Sequence, residues 1–513
     1  MKRRARIFKK LLYSRMIFSF LLLLVQFLIY FFFIIKYTPF FLYFAGASIT
    51  LSFCFLVYLA NCDGKNEFKI AWLIPTMILP IFGISLYIYT KINTGNSLIR
   101  KRIAASKSQA HAFLPCQCWQ NISSSFPEIA DLASYIYESD CFPAYTDSSA
   151  EYFSCGELFL PDFLSELKKA RQFIFLEFFI INPDESWQLI LEVLRQKVNE
   201  GVEVRVLYDG IGSVFTSTSM YRDYLNNLGI KARIYMPLFP VFNLQQNNRD
   251  HRKIAVIDGM VAYTGGMNIS NEYFNIGTNK FPYWKDSAVK IRGNAVKTFT
   301  SLFLRIWNVI GKSKENLAAY FPEPQFTPEK NEGIIIPYGD NAYNEKDIAE
   351  DICLYILGKA KKYVYITTPY IVIDNQLKSA LIFAARRGID VSLIVPSKPD
   401  HFLTFCIGKT FLKTLVENGV HVYLYLPGFL HSKLFISDES IATVGSVNLD
   451  YRSFYHHFEC GAVLYKNPEI EKIRRDFERI RLSCHEMQAE DYKKIPFFIR
   501  FLGRIFRVFA PLL

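Results

Sequence analysis

The strongest constraint on this chain is that it repeats itself. The segment NRDHRKIAVIDGMVAYTGGMNISNEY returns, altered, as GFLHSKLFISDESIATVGSVNLDYRS. His251, Lys253, Asp258, Gly265 and Asn268 recur as His431, Lys433, Asp438, Gly445 and Asn448, each pair separated by the same 180 residues (251 to 431). One His-x-Lys-x4-Asp string arises easily by chance. Two, each trailed by Gly and Asn at matching distances, mark a duplicated structural unit.

The setting of each copy gives the fold class. HRKIAVIDG and HSKLFISDE alternate so that His and Lys share one face of a strand, two residues apart. A following strand, VAYTGGMN or IATVGSVN, brings the Asn back. Upstream, each half reads strand, helix, strand: FIFLEFFII, WQLILEVLRQKVNEG and VEVRVLYDG, then YVYITTPYI, NQLKSALIFAARRG and IDVSLIVPS. Gly201 and Gly388 close the two helices. This is an α/β pattern with helices on sheets. The halves are expected at 151–320 and 333–490. The polar stretch 312–333, with Pro322, Pro324 and Pro328, links them, and 93–150 is expected to be a linker ahead of both.

The first ninety residues differ in kind. Of 513 residues 51% are hydrophobic and 47 are Phe, much of the Phe excess falling in this stretch. The uncharged runs 16–35, 39–60 and 70–90 each have about the length of a bilayer crossing, the third interrupted by Pro75, Pro80 and Gly83. They argue for an N-terminal transmembrane helical region over 1–92. A cleaved signal peptide fits poorly, because the runs repeat and no small-residue cleavage site follows the first. Basic clusters both precede the first run and follow the third. Three full crossings cannot satisfy both, so either the third run is re-entrant or interfacial, or one flank breaks the charge bias. At the other end, 491–513 sets Arg500, Arg504 and Arg507 on one helical face and Phe and Ile on the other. That is a helix lying in a headgroup layer or a terminal helix docked on the core. The net charge of +12 draws polyanions, either nucleic acid or an anionic membrane. Ten Cys occur without a CxxC pair, and Cys116 and Cys118 are too close for a zinc knuckle, so neither structural zinc nor a disulfide framework is expected.

The repeated residues suit attack on a phosphodiester. That chemistry needs a nucleophile, neutralised nonbridging oxygens and a proton for the leaving oxygen. Neutral imidazole is a competent nucleophile at neutral pH, and a second imidazole can protonate the leaving alcohol. Lys253 and Lys433 with Asn268 and Asn448 supply charge and amide donors to a bound phosphate. Each half holds only one set, so the halves must face each other across one site. A Lys beside each His disfavours a cation, so no metal and no cofactor is expected. The six motif residues His251, Lys253, Asp258, His431, Lys433 and Asp438 form the candidate catalytic set, although alternation turns the two Asp away, toward a turn, as structural orienters. Asp286 in YWKDSAVK and Glu459 in HHFECGAV lie on later strands and can accept a hydrogen bond from the other nitrogen of a catalytic imidazole. His401 in SKPDHF is a candidate for the site rim. His111, His421, His456, His457 and His485 belong to no repeated motif. Arg249 and Arg252, flanking the first motif, are candidates for a headgroup or ordinary surface Arg.

These strings resemble the phospholipase D superfamily and, within it, the bacterial cardiolipin synthases. The resemblance rests on the two motifs with GGMN and GSVN, on VLYDGIGS, VPSKPDH and TVGSVNLDYRSFYHHFE, on the hydrophobic AWLIPTMILPIFGISLYIY and on the closing FAPLL. An additional hydrophobic run departs from the two that many members carry. The resemblance implies a duplicated phospholipase D-type fold, two βαβ-rich halves facing one active site, in a multi-pass protein of the bacterial cell membrane. It implies phosphatidyl transfer between two phosphatidylglycerol molecules through a phospho-histidine, giving cardiolipin and glycerol. His251 is then the nucleophile and His431 the acid and later the base. Anionic membrane lipid is the partner, and nucleic acid is not. The motifs equally admit a hydrolysing phospholipase D or another acceptor alcohol. A nuclease of the same superfamily fits the charge but not the membrane runs, and a decayed site does not fit two intact motifs.

Overall fold

The computed structural model describes residues 28, 31, 38–92, 94–114, 119–213, 219–237, 247–311, 317–323, 333–344 and 346–512. It separates into two compact units, and the larger, 99–237 with 247–504, holds both copies of the repeat.

Each copy builds one sheet. The first half supplies β1 (Ser148–Phe153), β2 (Phe173–Phe178), β3 (Glu203–Asp209), β4 (Lys231–Tyr235), β5 (Lys253–Ile257), β6 (Val261–Gly265), the short β7 (Trp284–Lys285) and β8 (Ala288–Gly293). The second supplies β9 (Ile334–Asp340), β10 (Tyr363–Thr367), β11 (Ile371–Val372), β12 (Asp390–Pro396), β13 (His421–Tyr425), β14 (Phe429–Leu430), β15 (Leu434–Ser437), β16 (Ile441–Gly445), β17 (Leu449–Asp450), β18 (Glu459–Tyr465) and β19 (Cys484–Glu486). The strand orders are β1-β8-β6-β5-β2-β3-β4 and β9-β18-β16-β15-β10-β12-β13, the second extended by β19. Strand for strand they are the same path, a duplicated mixed α/β fold.

Local chemistry explains the path. FIFLEF in β2 and YVYIT in β10 are buried along their whole length, as central strands covered on both faces must be. Each leads by a helix to a parallel neighbour, β3 or β12. Asp184 caps helix Glu185–Asn199 and Asp374 caps helix Asn375–Arg386, their carboxylates accepting from the amides of Trp187 and Leu377. Gly201 (φ +88°) and Gly388 (φ +86°) then turn the chain through the left-handed region toward the next strand.

The halves interlock. Helix Val296–Gly311 lies on β5, β6 and β8 and reaches β9 of the other half; helix Glu469–Arg481 lies on β10, β15 and β16 and reaches β1. Between them β6 and β8 meet β16. The repeated Gly265 and Gly445 sit where a Cβ would fall 2.5 Å from the carbonyl oxygens of Ser287 and Cys460, so a side chain there would force the strands apart. The stretch ahead of β1, expected as a linker, instead contains helices Trp119–Ser125 and Ala130–Asp140. Leu132, Ala133 and Ile136 bury one face of the latter, which packs on helix Ile348–Lys359, and its Asp140 binds Arg305 at 3.0 Å.

The smaller unit contains α1 (Thr38–Asn61), α2 (Asn66–Ile78) and α3 (Pro80–Ile92), packed on one another through Phe55, Leu59 and Tyr87. The third apolar run does not form one helix. Pro80 cannot continue α2, and the chain doubles back so tightly that a Cβ on Gly83 would lie 2.6 Å from Thr76 Cα. The result is a hairpin of two 13-residue helices. At 1.5 Å per residue each is about 20 Å long, less than the ~30 Å hydrocarbon core. Among the described residues no helix is long and apolar enough to cross a membrane. The run 16–35 lies outside the described residues except Leu28 and Phe31. The expected transmembrane, multi-pass region is therefore not supported here. The C-terminal helix Phe497–Phe509 is docked at Gly503 on the backbone of Cys406, while Phe497, Phe498 and Phe501 stay exposed.

The motif carboxylates are structural, which corrects their place in the candidate catalytic set. Asp258, at φ +52°, accepts from the amides of Arg171, Gln172 and Phe173 at 2.7, 2.7 and 2.8 Å. Asp438, at φ +53°, does the same for Lys361, Lys362 and Tyr363 at 2.6, 2.8 and 3.0 Å. Each ties the turn after the His-x-Lys strand to the start of the central strand, roughly 16 Å along the strand from the Lys. Asp258→Ala and Asp438→Ala should each lower the unfolding free energy by about 2 kcal/mol. The urea midpoint of the purified protein measures this, and a loss under about 0.5 kcal/mol would contradict the capping role.

Candidate active site

Backbone pairing between the halves sets each histidine. Asp250 bridges in parallel to Phe458; His251 N donates to Phe458 O at 3.0 Å, and Phe458 N to Arg249 O at 2.8 Å. Phe458 immediately precedes Glu459, so the bridge delivers that carboxylate to the imidazole. His251 Nδ1 lies 2.9 and 3.1 Å from the two Glu459 oxygens. The opposite corner repeats this. β14 runs parallel to β7 with Leu430 beside Lys285, and His431 N donates to Lys285 O at 2.7 Å. Lys285 precedes Asp286, whose Oδ2 is 2.7 Å from His431 Nδ1. Asp286 and Glu459 were expected to orient imidazoles; the structure pairs each with the histidine of the other half.

Lys253 and Lys433 are buried on the same strand faces as their histidines. Lys253 Nζ donates to His251 O at 2.5 Å, and Lys433 Nζ donates to His431 O. Lys433 Nζ also lies 2.8 Å from His431 Nδ1. One Nδ1 cannot both donate to Asp286 and accept from Lys433. The ionised partner at 2.7 Å is the stronger acceptor, so Nδ1 carries a proton toward Asp286 and Nε2 is the position that gains or loses the second proton.

Burial governs the electrostatics. It pushes His251 and His431 well below the usual imidazole value, and the neighbouring Lys ammoniums push the same way. It lowers Lys253 to about 8 and Lys433 to about 7. Burial also raises Asp286 to about 6 against the opposing pull of Lys433. Cations held this reluctantly are stabilised by an incoming anion.

The halves differ where the repeat does. Asp286 presses on Gly266, where any side chain would strike its carboxylate. The counterpart Ser446 instead donates its hydroxyl to Glu459. Asn268 and Asn448, expected together on the phosphate, also diverge. Asn268 accepts from Ile180 N at 3.0 Å and donates to Tyr273 Oη at 2.8 Å, so both ends of its amide are engaged within the protein. Tyr273 in turn stands edge-on to His431, ring centroids 5.3 Å apart. Among the described residues, Asn448 Oδ1 is buried without a hydrogen-bond partner.

His457 is the residue that sequence reasoning missed. Its ring lies 5.4 Å from His251, its Nδ1 is 3.6 Å from Glu459, and burial pushes it down to about 3. The signal was there: His457 and Glu459 are two apart and share a face. His251, His457 and Glu459 place ligand atoms within 4.8 Å of one another, near enough for a metal. Lys253 and Lys433 bear on the same imidazole, however, and a cation there would meet two ammoniums. Arg249 and Arg252 are not headgroup binders. Arg249 is buried against Asp209 at 2.8 Å, and Arg252 against Glu177 and Asp250, bracing the approach to His251.

Comparison with known proteins agrees with this geometry. Residues 163–307 and 354–481 match the family described as cardiolipin synthase, PLD-like domain. An uncharacterized protein of Streptococcus mutans is 38% identical over 462 residues, covering 89% of this chain and 99% of its own. A cardiolipin synthase of Halalkalibacterium halodurans is 31% identical over 474 residues, 91% of this chain and 93% of its own. A cardiolipin synthase of Listeria monocytogenes is 29% identical over 453 residues, 86% and 93% respectively. The crystal structure of the Haemophilus influenzae phosphatidylserine synthase shares the fold, with a TM-score of 0.55 at 16% identity over 71% of this chain and 95% of that one. With matched segments in both halves and a cardiolipin synthase above 30% identity along nearly its whole length, the chain belongs to the cardiolipin synthase family, with the PLD-like domain present twice.

Proposed function

We propose that this phosphatidyltransferase is a cardiolipin synthase that moves a phosphatidyl group between two phosphatidylglycerol molecules. The observation that carries the reading is the reciprocal imidazole–carboxylate pairing, which aims two histidines at one buried, lysine-lined site. His251 Nε2 attacks the phosphorus of the first lipid. His431 enters this step as the imidazolium, protonated on Nε2 once the phosphate is bound; as the P–O bond to the headgroup breaks it gives that Nε2 proton to the leaving glycerol and is left as the Nδ1–H imidazole. The headgroup hydroxyl of a second lipid then enters on the His431 side. His431 takes its proton, the new P–O bond forms, and the P–N bond returns its electron pair to His251. Lys253, Lys433 and Asn448 face the nonbridging oxygens, and Asn268 holds Tyr273 against His431. The two carboxylates fix the Nδ1–H tautomer and stabilise the imidazolium as it forms. Every atom and proton is accounted for by the chain and its two lipids.

The basic charge and the exposed apolar residues of the C-terminal helix, Phe497, Phe498 and Phe501, support attachment to anionic membrane lipid. Exposed Leu42, Ile49 and Phe53 on α1 support the same for the smaller unit. We assign the positive charge to the membrane surface.

The direct test incubates purified enzyme in detergent with phosphatidylglycerol and a chelator. Cardiolipin and glycerol in equal amounts are expected; phosphatidic acid as the main product would make the enzyme a hydrolase. His251→Ala should abolish the phosphoenzyme, and His431→Ala should slow transfer by at least about 100-fold. Mass spectrometry of the trapped phosphoenzyme decides the roles, and phosphate on residue 431 would reverse them.

The pH dependence follows from the buried groups. Asp286 must be ionised, so kcat/KM should fall as pH drops through about 6. The Lys ammoniums must be charged, so it should fall again as pH rises through about 7 to 8. A kcat/KM flat from about pH 5 to 9 would break this assignment.

A further inference from the structure

We infer that the cleft beside helix Phe402–Val416 binds the phosphodiester of the second, acceptor lipid, with Lys409 as its cation. This rests on the transfer reading above and specifies where that reaction's second substrate sits. The cleft opens to solvent and is lined by Pro369, Tyr370, Ile371, Phe405 and Lys409. Phe429 forms part of its lining, two residues before His431, with ring centroids 6.2 Å apart. The cleft therefore adjoins the histidine that handles the alcohol proton. Leaving and attacking alcohols use the same side of the phosphorus, opposite the nucleophile, so an acceptor must approach from the His431 side.

The lining is suited to a lipid anion. Ile371, Phe405 and Leu412 make apolar walls. Lys409 also lines the cleft and is only 6% exposed. Among the described residues its ammonium has no hydrogen bond and no ion pair, and it lies 4.7 Å from the centroid of the Phe405 ring. Burial alone pushes it down to about 8. A cation so largely desolvated, with no carboxylate paired to it, is stabilised by an anion. Lys398 adds exposed positive charge to the same lining. Asp400 also lines the cleft, its carboxylate accepting from the Tyr370 hydroxyl and, at 2.6 Å, from His401 N. Against the same helix, at Cys406, docks Gly503 of the C-terminal helix, whose exposed Phe side chains offer apolar surface for acyl chains. A lipid phosphodiester seated here puts its terminal headgroup hydroxyl toward His431 and displaces the water that would otherwise hydrolyse the phosphoenzyme.

The test uses the full chain in mixed micelles with phosphatidylglycerol, measuring cardiolipin, phosphatidic acid and glycerol together. Lys409→Met removes an unpaired buried charge without changing bulk, so the variant should fold at least as stably as the wild type. Its cardiolipin-to-phosphatidic-acid ratio should fall about ten-fold, with half-maximal cardiolipin formation moved to higher lipid concentration. Lys409→Arg should restore most of the ratio. An unchanged ratio and unchanged concentration dependence in Lys409→Met would overturn the acceptor site while leaving the transferase reading intact. A wild-type enzyme that makes no cardiolipin would instead sink that reading itself. Short-chain phosphatidylglycerol, but not inorganic phosphate, should compete for the acceptor step; equal competition by phosphate would overturn the lipid assignment.

Discussion

Everything in the site hangs on two short stretches of backbone pairing between the halves, Asp250 with Phe458 and Leu430 with Lys285. Each places a histidine one residue beyond the bridge opposite a carboxylate one residue beyond it. Because side chains alternate along extended backbone, a slip of one residue at either bridge would turn the carboxylate away from its imidazole. The bridges are held by the wider interlock, in which one helix from each half reaches the outer strand of the other's sheet. Neither half alone carries a motif histidine together with the carboxylate that holds it. The duplication is thus a requirement of the chemistry as well as of the fold.

Near-symmetry does not make the two histidines equivalent. The reaction needs one imidazole bare and the other bearing a proton, and the departures from symmetry fall around that division. His251 has His457 beside it and Ser446 steadying Glu459. His431 has Tyr273 and Trp284 against its ring and Lys433 at 2.8 Å. The amide of Asn268 is spent on Tyr273, whereas Asn448 Oδ1 is buried and has no hydrogen-bond partner among the described residues. A duplicated scaffold supplies the facing geometry, and a few unmatched residues supply the asymmetry.

What could be read from the sequence was what repeats or alternates. The 180-residue offset located both motifs, the alternating strands put His and Lys on one face, and Gly201 and Gly388 fell where helices reverse direction. Two-residue spacing also turned Asp258 away from Lys253, in keeping with its hold on three backbone amides. Partners chosen by tertiary contact were not legible. Asp286 and Glu459 could be nominated, but no spacing within one half says that each serves the other. Asn268 looked like Asn448 because the motif is the same; Tyr273 makes them different. Residues 93–150 were expected to be a linker, and only the packed body of the second half reveals what helix Ala130–Asp140 covers. The third apolar run had the length of a crossing, yet Pro80 and the close approach of Gly83 to Thr76 fold it into a hairpin.

The buried lysines connect the site to its substrate. Lys253 and Lys433 are the motif's cations, yet burial holds both below the ordinary lysine range, more reluctantly charged than any surface lysine. An empty pocket with that character is a poor resting place for two ammoniums and a good one for a phosphodiester, whose fixed negative charge restores them and lets an imidazolium form beside Asp286. Binding and activation are then one event: the anion that must be attacked is also what charges the groups that stabilise its attack. The same logic extends to Lys409, another buried lysine on the His431 side, and to a reaction whose second substrate is another phosphodiester. A site that must hold two like-charged lipids close together needs separate cations for each, or the repulsion between the phosphates would oppose the very encounter it catalyses.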